Sequence, residues 1–129
     1  MVLEAFWKIL SIAAGGAAGS VARYLVNISP LAGVFEKFPL PTFVINASGS
    51  FLIGFLLILL TDNFEVSDNL RMAVIVGFLG AFTTFSTFEM EIYGLGREGE
   101  LGIALVYLLL SVVAGFFGVA AGVALGKRV

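Results

Sequence analysis

No charged side chain occurs between Phe38 and Thr61, nor between Leu101 and Gly126, and stretches of that kind leave a chain few places to go. About 20 apolar residues cross a hydrocarbon core about 30 Å thick, so each stretch is long enough to span a bilayer as a helix. Composition points the same way. The chain is 60% hydrophobic and 12% charged, whereas soluble domains are about half apolar and about a quarter charged. Too few polar residues are present to cover a water-exposed surface, so the expected class is an all-α membrane protein.

Charged residues divide the 129 residues into four spans, predicted as helices over about 5–26, 40–61, 70–94 and 101–126 of a single membrane domain covering residues 1–129. The first spans only if Lys8 and Arg23 snorkel toward the headgroups; a cleaved signal peptide is its competing reading, opposed by Glu4 and by the three spans that follow. Pro39 and Pro41 suit the first turn of the second span, where a missing N–H needs no partner. Lys127 and Arg128 suit the end of the fourth. Short connections leave no room for a soluble domain. One side of the membrane collects Lys8, Arg71, Lys127 and Arg128, the other Arg23, Lys37 and Arg97. So even a balance sets no orientation by the positive-inside rule, and insertion both ways round with pairing as an antiparallel dimer is expected.

Several classes of function are excluded at the outset. The chain has no Cys and no His, which removes thiol chemistry, imidazole acid–base work and the usual zinc and haem ligands. A net charge of −2 gives no basic excess for nucleic acid. Glu89 and Glu91 are spaced by two and do not face each other on a helix, so they make no acid–base pair, and the chain is not expected to be an enzyme.

In hydrocarbon a polar group is costly without a partner, so the intramembrane polar residues carry the information. Thr42, Asn46, Ser50 and Gly54 share a face of the second span, and Tyr107, Ser111 and Gly115 share one of the fourth. Gly15 with Gly19, and Gly118 with Gly122, have the small-xxx-small spacing of closely packed helices. Asn46 stands apart, because packing alone would be served by Ser or Ala. The third span is the oddest. Gly77 and Gly80 loosen a helix, and the hydroxyls of Thr83, Thr84, Ser86 and Thr87 compete for backbone hydrogen bonds, so a mid-membrane break is expected near 80–86. Freed carbonyls bind hard cations such as Na⁺, and half-helix N-termini attract anions. Phe85 and Phe88, three residues apart, share a face, and the weakly positive edges of their rings can line a route for a small anion.

The string Gly-Ala-Phe-Thr-Thr-Phe-Ser-Thr-Phe at Gly80 to Phe88 resembles the third-helix signature of the small dual-topology fluoride channels called Fluc or CrcB. Gly15-Gly16 through Gly19 to Arg23, Asn46 with Gly49-Ser50-Phe51 and Gly54, and Tyr107 with Ser111 extend the resemblance over the chain. It implies a fluoride-selective channel that exports F⁻ passively across the cell (inner) membrane as a multi-pass, antiparallel homodimer with two pores. It further implies a structural Na⁺ at the dimer interface held by the carbonyls of Gly80 and Thr83, and a fluoride pathway formed by Asn46, Phe85, Phe88, Thr87, Tyr107, Ser111 and Arg23. Glu91 corresponds to a family carboxylate near the pore mouth; a solvated helix end explains it as well. The chain departs from the pattern at Ala81 and Pro41, where glycine is usual. A small multidrug-type exporter is the rival reading; it would need a carboxylate deep in the first helix, and Glu4 is too near the chain start.

Overall fold

The computed structural model describes all residues, Met1–Val129, and is helical throughout, with no strand. Four stretches are long and apolar enough to cross a membrane: Val2–Gly33, Leu40–Asn63, Asp68–Arg97 and Leu101–Gly126. The protein is thus a multi-pass membrane protein. Helix α1 is Val2–Asn27, followed by a 3₁₀ turn at Pro30–Gly33. Helix α2, Leu40–Ile58, ends in a π-helical turn at Leu59–Asn63. The third span is composite: α3 at Asp68–Arg71, a π-helical segment at Met72–Leu79, α4 at Gly80–Phe82, an interruption at Thr83 and Thr84, and α5 at Phe85–Arg97. Helix α6, Leu101–Gly126, completes the bundle.

The spans pack in two pairs. α1 lies along the π-helical segment and α2 along α6. Both seams are made by missing side chains. A Cβ on Gly15 would come within 1.9 Å of the Ala73 carbonyl oxygen, one on Gly19 within 2.2 Å of the Phe78 oxygen, and one on Gly122 within 2.1 Å of the Phe51 oxygen. Backbones approach this closely only across glycine, and membrane helices gain van der Waals contact by doing so. Gly77 belongs to the same seam, where a Cβ would lie 2.5 Å from the Ile12 oxygen. Its purpose is close packing, and the loosening read from the sequence is not needed to explain it.

Polar bonds tie the two ends of the bundle. At one end Lys8 bonds Glu4 at 3.2 Å and approaches Asp68 at 4.0 Å, Arg71 pairs with Asp68, and Asn63 Nδ2 donates to the Gly126 carbonyl at 2.7 Å. At the other end α5 closes in a left-handed turn at Gly99 (φ 80°), where the Glu100 N–H returns to the Leu95 carbonyl at 2.9 Å and the Gly99 N–H to Gly96 at 3.2 Å. This pair of bonds satisfies the last carbonyls of α5 and sets Glu100 at the start of α6. There Glu100 accepts a hydrogen bond from Lys37, which reaches across from the α1–α2 connection.

Candidate functional site

The interruption of the third span is the centre of the site, and its backbone groups can be traced one by one. Thr83 (φ −74°, ψ 155°) and Thr84 (φ −151°, ψ 114°) are both extended. The Thr83 N–H and hydroxyl both donate to the Leu79 carbonyl, at 3.0 and 2.9 Å. The Thr84 N–H, which in a continuous helix would bond Gly80, donates instead to Asn46 Oδ1 at 2.8 Å. Asn46 Nδ2 in turn donates to the Thr84 carbonyl at 3.0 Å. Finally Thr84 Oγ1 caps α5 by accepting the Thr87 N–H at 3.3 Å, as N-cap hydroxyls do. The amide of Asn46 therefore replaces two backbone partners of Thr84, and an unpaired group in hydrocarbon is avoided.

Two carbonyls are stripped by this exchange. Gly80 loses the Thr84 N–H to Asn46, and Thr83 loses the Thr87 N–H to the Thr84 hydroxyl. Carbonyl oxygens without donors suit a hard cation, and no set of three His, Cys, Asp or Glu side chains is grouped to hold a metal in their place. The donor set of Gly80 and Thr83 thus fits Na⁺ in kind, and in number it leaves room for ligands from outside the chain. Ala81 does not disturb the break: no residue except Gly99 has a positive φ, so the position asks nothing that only glycine supplies.

Beside the break lies an open cavity of about 430 Å³, which brings together Asn46, Gly80, Thr83, Phe85, Phe88 and Ser111. Ser111 Oγ is buried without a hydrogen-bond partner. Phe85 is 74% exposed and Phe88 only 5%; their ring centroids are 6.0 Å apart. The two rings are adjacent and both line the cavity, Phe85 largely exposed and Phe88 otherwise packed into the bundle. Phe88 meets Tyr107 edge-to-face at 5.0 Å. Of the other residues singled out in the sequence, Thr87 is exposed and outside the cavity wall, and Arg23 lies half-buried on α1 with no ion pair.

Behind Phe88 is a cluster that the sequence hid. Glu91 accepts from Thr42 Oγ1 at 2.8 Å and from the Tyr107 hydroxyl at 2.7 Å, and both donors are almost wholly buried, Thr42 at 2% and Tyr107 at 0% exposure. Glu91 is therefore a half-buried carboxylate with two hydroxyl donors, and the solvated helix end is not what the structure has. Thr42 was visible as a polar position of α2, but its partner lies 49 residues away. At the same end the Lys37 ammonium, bonded to Glu100, is held above its ordinary value of 10.5. Folding raises this group, so its contribution is complete below that value and is lost as the pH climbs beyond it.

Comparison with known proteins joins these observations to a family. Residues 10–123 match the family model described as CrcB-like protein, Camphor Resistance (CrcB). The chain is similar to a protein of Solibacter usitatus named "Fluoride-specific ion channel FluC", at 45% identity over 94% of this chain and 99% of the relative. Proteins of the same name from Hydrogenovibrio crunogenus and Acidobacterium capsulatum are 41% and 40% identical, over 94% and 95% of this chain and 92% and 98% of theirs. With a family model matched over most of its length and relatives covered nearly end to end, this chain belongs to the CrcB family.

Proposed function

We propose that this protein is a fluoride channel of the cell membrane, passing F⁻ down its gradient. The observation that carries the reading is the interruption at Thr83 and Thr84, held by Asn46 next to a cavity walled by Phe85 and Phe88. Fluoride is small and strongly hydrated, so a selective route must exchange its water for hydrogen-bond donors and weakly positive ring edges. Ser111 offers an unpartnered hydroxyl on the cavity wall, and Asn46, with one N–H given to Thr84, keeps a second. Thr87, Tyr107 and Arg23 extend the route, Arg23 by drawing anions toward one end. The names of the relatives support the choice of ion.

The working unit in this reading is an antiparallel homodimer with two routes. Gly80 supports it: the residue is exposed, and a Cβ there would meet nothing within 4 Å of its own chain. A second copy crossing at this point would complete the coordination of a structural Na⁺ with its own Gly80 and Thr83 carbonyls. When bound, that ion supplies fixed positive charge between the two chains; the residues here supply its oxygens and a near-even distribution of positive side chains that allows insertion both ways round.

Liposomes holding the protein are expected to release fluoride and to retain chloride, as read with ion-selective electrodes. Phe88→Ile, which keeps bulk and removes the ring edge, is expected to slow fluoride release by roughly tenfold or more. Unchanged release in that variant would refute the ring-lined route.

A further inference from the structure

We propose that Phe38 is the outermost ring of the fluoride route and limits its rate, with the Lys37–Glu100 ion pair holding the ring in place. The proposal rests on the reading of Phe85 and Phe88 as lining that route. The rings do not stop at Phe88. Phe85 touches Phe88 at 6.0 Å, Phe88 touches Tyr107 at 5.0 Å, Tyr107 touches Phe38 at 5.3 Å, and Phe38 touches Phe35 at 6.1 Å. The last three contacts are edge-to-face, with interplanar angles of 72°, 76° and 78°. An unbroken series of aromatic contacts therefore runs from the cavity to the α1–α2 connection. Phe38 is its last half-buried member, and Phe35 is already 53% exposed.

A plain structural task for Phe38 also exists. It precedes the N-cap of α2 and meets Phe43 at 5.8 Å, the arrangement of a hydrophobic staple that fixes how a chain enters a helix. A staple needs no more than Phe43. Phe38 also lies on Tyr107, which is fully buried and holds Glu91 through its hydroxyl, so the ring stands between that cluster and the end of the bundle. The neighbouring residue in the chain, Lys37, is tied to Glu100 at the start of α6, where the left-handed turn at Gly99 has placed it. The connection carrying Phe38 is thus fastened on both sides, to α2 by the staple and to α6 by the ion pair. An ion leaving the Tyr107 cluster at this end displaces the ring, and the ring's contacts set how often it moves.

The test is fluoride release from liposomes, normalised to the protein recovered in the vesicles. Phe38→Ala is expected to raise the rate roughly 2–10-fold, the equivalent in rate of losing the Tyr107 contact among its three, and Phe38→Trp to lower it. Chloride stays excluded in both, because Phe85 and Phe88 are untouched. Lys37→Met is expected to raise the rate in the same direction, and the exchange Lys37→Glu with Glu100→Lys to restore it. Faster fluoride release with chloride still retained cannot arise from misfolding, which would leak both ions. Phe38→Leu keeps the apolar bulk of the staple and removes the ring, so it carries the test should Phe38→Ala fail to fold. Wild-type rates in Phe38→Ala and Phe38→Leu, with Phe88→Ile slow, would overturn the proposal and leave the route standing. An unaffected Phe88→Ile would overturn both.

Discussion

Asn46 spends its side chain on the backbone of another helix. Oδ1 accepts from one main-chain group of Thr84 and Nδ2 donates to the other, which makes the residue a substitute for two missing backbone hydrogen bonds. The chemistry of that exchange can be tested by altering only the donor. In Asn46→Asp the carboxylate loses the donor and repels the Thr84 carbonyl, whereas the protonated acid again offers one donor and one acceptor. Fluoride release by this variant is expected to be slow in neutral buffer and to recover in mildly acid buffer, measured against protein-free vesicles. Asn46→Ala should not recover. Because relief of charge repulsion toward fluoride would give the same trend, amide exchange at Thr84 supplies the second reading: protected in the native protein, fast in Asn46→Ala. The residue's importance was legible as an amide at mid-span. Its partner was not, because hydrogen bonds across 38 residues leave no periodicity in a sequence.

At the scale of helices, the seams depend on individual glycines in a way that spacing alone does not rank. Gly15 and Gly16 are neighbours, yet a Cβ on Gly15 would strike the Ala73 oxygen at 1.9 Å while one on Gly16 would rest 3.8 Å from Gly77. Gly15→Ala is expected to cost about 1–3 kcal/mol through overpacking, and Gly16→Ala no more than about 0.5 kcal/mol, a contrast readable as thermal aggregation of the detergent-solubilised protein. The spans themselves were plain from the charge-free runs, since the bilayer dictates their length and polarity. The broken third span was also legible, and of its two expected causes the hydroxyls are at work, since Thr83 and Thr84 both bond backbone groups at the break, whereas the glycines are not. Glycines were expected to loosen the helix. Instead Gly77 serves packing, Gly80 keeps an α conformation (φ −62°, ψ −35°), and the chain opens at Thr83 and Thr84. The π-helical stretches Leu59–Asn63 and Met72–Leu79 had no counterpart in the sequence pattern, because an i→i+5 ladder uses the same apolar residues as an α-helix.

For the molecule as a whole, the face bearing Gly80 and Phe85 is the one on which the proposed second copy would sit. Gly80→Val is expected to leave the isolated chain folded, since a Cβ there meets no other part of its own chain within 4 Å and the residue is exposed, and to reduce the dimer fraction seen by chemical cross-linking in membranes. Tags on the C-terminus should be found on both sides of the membrane in comparable amounts; a single orientation would exclude the antiparallel pair. The way Thr84 is satisfied has a further consequence for how the protein is made. An interruption whose hydrogen-bond partners belong to a different segment is fully paired only once that segment lies beside it. The break is therefore completed by packing, when the second span docks against the third, and not by insertion of the third span alone.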